Sequence, residues 1–244
     1  MKPWQLIGET VTPDGTTLAL TRHDREYVIL AGGKSLMSSR MHGSEEALAT
    51  LACASIRSRT EPRVLIGGLG MGFTLRATLD LLSRDATVVV AELIPIVVEW
   101  NRGPLAELAG APLRDRRVRV EVGDVSAVLR ANPQTFDAIL LDVDNGPSAM
   151  TSAQNARLYD NAGVATARAA LTGGGVLAVW SARDDRKFEQ RLRYTGFTVE
   201  VAHVRGRLKR GGPRHTVFIG RKLGPGGSGI LPGDRVSRRT GAVR

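Results

Sequence analysis

RVLIGGLGMGF (63–73) is an apolar run that breaks into alternating glycine. Glycines at 67, 68, 70 and 72 weaken strand and helix alike, so the backbone there must turn sharply or be approached closely. RVLIG has the unbroken aliphatic content of a strand covered on both faces, and FTLRATLDLL after it has helical apolar spacing. A strand running through glycine into a helix predicts the first unit of an open parallel sheet.

The same alternation repeats down the chain. TVVVAE (87–92) precedes PIVVEWNRGPLAEL, VRVEVG (118–123) precedes DVSAVLRA, and FDAILLD (136–142) leads through a loop to NARLYDNAGVATARAAL. GVLAVWS (175–181) is followed by DRKFEQRLRYTG, whereas FTVEVAHV (197–204) and HTVFIGR (215–221) have no helix between them. Seven strands result, the last two antiparallel, in an α/β fold of the methyltransferase-type Rossmann arrangement with right-handed crossovers. Ahead of it, WQLIGETV, TTLALTRH and EYVILA alternate around PDG and HDR, which predicts three strands in two hairpins. A helix from Ser44 to about Ile56 joins this unit to the sheet. The expected organisation is a small N-terminal β-hairpin unit (1–43), a Rossmann-like domain (44–222) and a disordered, Gly/Ser/Arg-rich tail (223–244).

Bulk properties narrow the function classes. The chain has 244 residues, 42% of them hydrophobic, enough to bury a sizeable core. No apolar run approaches the roughly 18–20 residues of a membrane span, and the first residues lack the apolar centre of a secretory signal, so a cytoplasmic protein with no membrane partner is expected. The single cysteine, Cys53, sits in ALATLACASI and is expected to be a packed core thiol. With one cysteine no intramolecular disulfide or cysteine-cluster metal site can form, and no metal is expected. The net charge of +10 raises nucleic-acid binding through 205–215 and the tail. Its arginines are scattered and no aromatic residues interleave with them, so that reading is subordinate.

Ligands of open parallel sheets bind beyond the carboxyl ends of the strands, near the switch point. Four such ends stand out. The loop carrying Gly67, Gly68, Gly70 and Gly72 reads G-x-G-x-G, with Phe73 where a dinucleotide fingerprint needs its third glycine. That spacing argues against a nicotinamide cofactor and for a nucleoside without a pyrophosphate. Glu92, with Leu93 after it, can accept hydrogen bonds from ribose hydroxyls, or be a solvated strand-terminal acid. Asp124 can hold an adenine amino group while Val125 packs on the ring, and Asp is equally suited to cap the helix. Finally LLDVDNGP (140–147) delivers Asp142, Asp144 and Asn145 to one place, where carboxylates can orient an amine or accept its proton. An Asx-type turn is the alternative there. Trp100 and Trp180 are read as packing residues, with a pocket-lining role as the lesser alternative.

GGLGMG, AELIPIVVEWNRG, GD and LLDVDNGP together resemble the spermidine synthase family, over roughly residues 16–221. The resemblance implies a nucleoside sulfonium cofactor, S-adenosylmethionine or its decarboxylated form, a small amine acceptor, and a homodimer. It implies that Gly67, Gly68, Gly70, Gly72, Glu92, Leu93, Asp124, Val125 and Asp142 face the cofactor and that Asp142 and Asp144 are catalytic. Asn145, Glu45, Glu46 and His42 would meet the acceptor. The sequence departs from the family in three places. An Asp of the family's GGGDGG loop is replaced by Gly70, the DSSDPxGP loop is shortened to DVDNGP, and the upstream Gln and Tyr-His-Glu pattern is replaced by LMSSRMHGSEE (36–46). Without an acid at 70 nothing in the loop repels the carboxylate of intact S-adenosylmethionine. Methyltransferase-like use of that cofactor is therefore the expected activity. A true polyamine aminopropyltransferase is the first alternative, and a non-catalytic nucleoside- or nucleic-acid-binding protein the second.

Overall fold

The computed structural model describes residues 3–143, 146–147, 157–207 and 212–224. Its first element is a four-stranded antiparallel sheet in sequence order: β1 (Gln5–Val11), β2 (Thr17–His23), β3 (Glu26–Ala31) and β4 (Lys34–Ser38). The sequence had led us to expect three strands here. β4 was missed because Gly32 and Gly33, both with positive φ, turn the chain directly from β3 into a polar, poorly alternating KSLMS. Pairing is irregular where Leu30 faces Ser35 but Ile29 faces Met37, so one extra residue on β4 bends the strand. α1 (Gly43–Cys53) follows, three residues shorter at its end than the apolar spacing suggested.

The second sheet has seven strands in the order β10-β11-β9-β8-β5-β6-β7. These are β5 (Arg63–Gly67), β6 (Thr87–Glu92), β7 (Val118–Val122), β8 (Phe136–Leu141), β9 (Leu171–Ser181), β10 (Phe197–Arg205) and β11 (Arg214–Lys222). β5 to β9 run parallel, and β11 is antiparallel to both β9 and β10. The chain therefore leaves β5 in one direction toward β6 and β7 and returns to its other side as β8. This is the switch point at which parallel sheets open a crevice.

Alternation within the central strands builds two cores. Val64, Ile66, Val88, Val90, Ala138 and Leu140 face α1, α2 (Phe73–Leu81) and α3 (Pro95–Arg102) through Leu48, Ala52, Leu75, Leu79, Val97 and Val98. Leu65, Ile139, Leu141, Leu177 and Val179 face α4 (Val125–Ala131), α5 (Asn161–Ala170) and α6 (Arg186–Tyr194) through Leu129, Val164, Phe188 and Leu192. Successive strand residues point to opposite faces, which is why these strands carry no polar half. Leu18, Leu20 and Ile29 of the N-terminal sheet join the first core. Cys53 is buried there, and burial pushes its thiol up to about 12. Trp100 is also buried, with its indole against Gly8 of β1, where a Cβ would stand 2.9 Å from Nε1.

Beyond the end of α2, Arg117 holds the following turn. Its guanidinium donates to the carbonyls of Leu79, Leu82 and Ser83 at 2.9, 3.0 and 3.1 Å, and to Asp115 at 2.7 Å. The guanidinium keeps the Asp115 carboxyl down at about 2. Arg117→Ala leaves three carbonyls and a carboxylate without their donor. It should cost about 2–4 kcal/mol, read as a lower midpoint in urea unfolding at unchanged slope.

Candidate active site

The carboxyl ends of four strands form one continuous edge. The Asp142 amide donates to the Gly67 carbonyl, the Gly68 amide to Ala91, and the Gly123 amide to Glu92, each at 2.9 Å. The ladder thus runs one residue past β8, β5 and β7 and sets Asp142, the glycine loop, Glu92 and Asp124 side by side. The four sequence-expected strand ends do converge.

The glycines turn the backbone, with positive φ at 68, 70 and 72, and the chain's own atoms approach them closely. A Cβ at Gly67 would stand 3.0 Å from Val125 Cγ2 and 3.1 Å from Leu141 Cδ2. At Gly68, where φ is +90°, it would stand 2.3 Å from the Asp142 carbonyl oxygen, well inside van der Waals contact. Gly72 is covered by the Asn101 and Pro112 side chains at 3.0 and 3.2 Å. Gly70 alone faces the N-terminal sheet, with the Met37 thioether 3.3 Å from the same test position.

Glu92 is buried, and its carboxylate ties the loop down. Oε2 accepts from the Leu69 amide at 2.8 Å and Oε1 from the Ile94 amide at 2.9 Å. It is therefore not a solvated terminal acid. Leu93 beside it is 41% exposed and free to cover a flat ligand. Asp124 is the N-cap of α4 and accepts from the Ser126 amide at 2.8 Å. Val125 is packed on Gly67 and 6% exposed. Asn101 was not anticipated. Buried in α3, it donates from Nδ2 to the Gly70 carbonyl at 2.8 Å and to Val97 at 2.9 Å, clamping the loop from behind. An amide at the end of the apolar run PIVVEWN was the sequence signal for it.

α1 brings the acids expected upstream to the same edge. The His42 ring stacks on Phe73, the first residue of α2, at 4.1 Å between centroids, so the N-termini of α1 and α2 meet. His42 Nδ1 and Glu46 Oε1 are 2.7 Å apart and satisfy each other. Glu45 instead turns inward: it accepts from Ser44 Oγ at 2.7 Å and feels the charge of Asp142. Burial, then that neighbouring carboxylate, push Glu45 up to about 7. Burial also raises Asp142, against the pull of the Thr74 hydroxyl, which donates to Oδ2 at 2.6 Å. Thr74, in the first turn of α2, is a second partner that sequence reasoning missed. Asp144 and Asn145 lie outside the described residues, as do 208–211 of the basic loop and 225–244 of the tail. Gly146 packs against the end of β9, where a Cβ would meet Ser181 Cα at 2.6 Å and the Trp180 carbonyl at 2.7 Å. Trp180 is half-buried, with its ring 4.8 Å from that of His215. Among the described residues no group of three or more His, Cys, Asp and Glu could hold a metal ion. None of the described helices is long and apolar enough to cross a membrane.

A glycine turn, strand-end acids and two neighbouring carboxylates gathered at one switch point define a Rossmann-type sheet edge, the place where such sheets hold their ligands. Residues 41–191 match the spermine/spermidine synthase domain, and the chain belongs to that family. Its structure is similar to that of spermidine synthase from Thermotoga maritima, with a TM-score of 0.71 and 18% identity, over 89% of this chain and 73% of that one. A spermidine synthase in complex with the transition state analogue AdoDATO gives a TM-score of 0.69 at 17% identity, over 89% and 72%. A probable spermidine synthase from Corynebacterium glutamicum ATCC 13032 gives 0.62 at 14%, over 91% and 81%. No curated protein matches the chain significantly in sequence.

Two outcomes test this geometry. Gly68→Ala forces a Cβ into the Asp142 carbonyl at a left-handed φ and should cost about 2–4 kcal/mol in chemical denaturation. Glu45 holds its proton more tightly folded than unfolded, so the protein loses stability as pH rises from about 4.5 through about 7 and is flat above. Glu45→Gln should remove that loss, so that thermal midpoints at pH 5 and pH 8 draw together.

Proposed function

We propose that the protein is a transferase that uses S-adenosylmethionine, or its decarboxylated form, to alkylate a small amine. The observation that carries this reading is the Glu45–Asp142 carboxylate pair, placed beside the glycine loop by two different elements. The donor set suits a nucleoside sulfonium. Glu92, which closes the loop, is the strand-end acid for the ribose hydroxyls, Asp124 and Leu93 would meet the base, and no phosphate-binding third glycine is present. The sulfonium supplies an electrophilic carbon when bound.

The chain's own residues then have distinct tasks. An amine attacks only in its neutral form, so a proton must leave the ammonium. A carboxylate with a pKa near 7 is matched to that transfer, and Glu45 has this property because it is buried and, secondarily, because Asp142 is close. Thr74 fixes the Asp142 carboxylate in one orientation, which leaves its other oxygen for the cationic acceptor. Asp144 and Asn145, on the loop after β8, would complete the acceptor site. Positioning of amine and carbon in line supplies most of the rate in such displacements. His42 and Glu46, which pair with each other, frame the entrance.

Aminopropyl transfer is the reading nearest to the family and to the solved spermidine synthases. Transfer of methyl from the intact cofactor is favoured for this chain by the absence of any acid in 67–72. The protein would act as a homodimer. β1 leaves Trp4, Leu6 and Val11 50%, 58% and 65% exposed along a sheet edge, and edges of this kind are normally covered.

Titration calorimetry with the two cofactors separates the readings. Binding of the intact form is expected, tight binding of the decarboxylated form alone would establish aminopropyl transfer, and binding of neither would remove both. Asp142→Asn should keep cofactor affinity within about threefold while turnover of an amine acceptor falls by about 100-fold or more. Unchanged turnover would move the reacting centre elsewhere.

A further inference from the structure

The four glycines of the loop are covered from different sources. Gly67, Gly68 and Gly72 meet atoms of the Rossmann domain itself: Val125 and Leu141, the Asp142 carbonyl, and Asn101 with Pro112. Gly70 meets Met37, which belongs to β4 of the other sheet, with Sδ at 3.3 Å and Cε at 3.5 Å from the test Cβ position. Met37 is aimed there by the irregular pairing of β4, in which the extra residue shifts the strand by one position between Ser35 and Met37. A one-residue shift exchanges the faces of a strand, so without it the side chain at 37 would point away from the loop. The thioether is half-buried and packs on the first core. Gly70 has φ +52°, and its carbonyl is held from behind by Asn101. The loop backbone is thus pinned on one side while its other side is roofed by a single flexible side chain.

We propose that Met37 is a specificity-determining residue, its thioether forming the wall beside Gly70 that decides which cofactor tail the site accepts. This rests on the transferase reading above. The two candidate tails differ by one carboxylate: one is a zwitterion, the other an alkylammonium. A thioether is neutral and polarizable and adapts to either shape, so it places no negative charge against the zwitterion. Beneath it, among the described residues, no acceptor of the chain engages the amides of Gly70 or Met71. Successive backbone N–H groups of this kind suit a carboxylate. Met37 therefore keeps the tail region open to the zwitterion, and an acid at 37 would close it.

The test compares the wild-type chain with Met37→Leu and Met37→Glu, using calorimetric dissociation constants for S-adenosylmethionine and decarboxylated S-adenosylmethionine, with thermal melts to show folding. Met37→Leu should leave the ratio of the two constants within about twofold. Met37→Glu should move it by about tenfold or more toward the decarboxylated form, mostly through loss of the intact one. Should the Glu variant fail to fold, Met37→Ala serves. It should weaken the intact cofactor several-fold, and unchanged affinity would overturn the proposal. Wild-type binding with a ratio unmoved by Met37→Glu removes this inference alone. Wild-type protein that binds neither cofactor removes the transferase reading and this inference together.

Discussion

The close crossing of Gly68 and Asp142 is the constraint on which the site depends. The Asp142 amide bonds the Gly67 carbonyl, and the next peptide passes over the Asp142 carbonyl so closely that no side chain fits. Two strands that diverge in sequence by some seventy residues are locked here at their carboxyl ends. Once they are locked, the Asp142 side chain has one direction left, toward the first turn of α2, where Thr74 receives it. The glycine loop is in turn fixed by Glu92 in front and Asn101 behind. Glu92 and Asp124 hold backbone amides at this edge, whereas Asp142 and Glu45 hold side-chain hydroxyls.

A second consequence concerns charge. The chain is strongly basic, yet its crevice gathers Glu45, Asp142 and Glu92. Burial raises both Glu45 and Asp142, and the Asp142 charge raises Glu45 further, a proximity imposed by packing. The His42–Phe73 stack brings α1 against α2, and the apolar stripe of α1 fixes its rotation, so Glu45 turns inward and Glu46 outward to His42. A cationic ligand would relieve the repulsion that the fold has built in.

Much of this was legible in the sequence, for physical reasons that can be named. The aliphatic runs of β5, β6 and β8, each bounded by turn residues, read as strands covered on both faces, and they give way at Gly67, Glu92 and Asp142 where the sheet passes into loops. The antiparallel β10–β11 pair was readable from the missing helix. What was not legible depends on contacts between distant segments. Neither Thr74, an ordinary helix residue, nor Asn101 shows its partner by spacing. β4 has no alternation to display, and Met37 reaches Gly70 only through an irregularity in strand pairing. The packing of Val125 on Gly67 was likewise invisible, because a glycine offers no side chain to be counted.

The buried cysteine acquires a use from its position. Cys53 is the chain's only thiol, and it closes the last turn of the helix that carries Glu45 at its first. Thiol reagents act on the thiolate, which burial here all but abolishes. Modification must wait for α1 to lift from the sheet, and lifting also separates Glu45 from Asp142. The rate at which a reagent finds Cys53 is thus a clock for opening of the carboxylate pair, running without any introduced label.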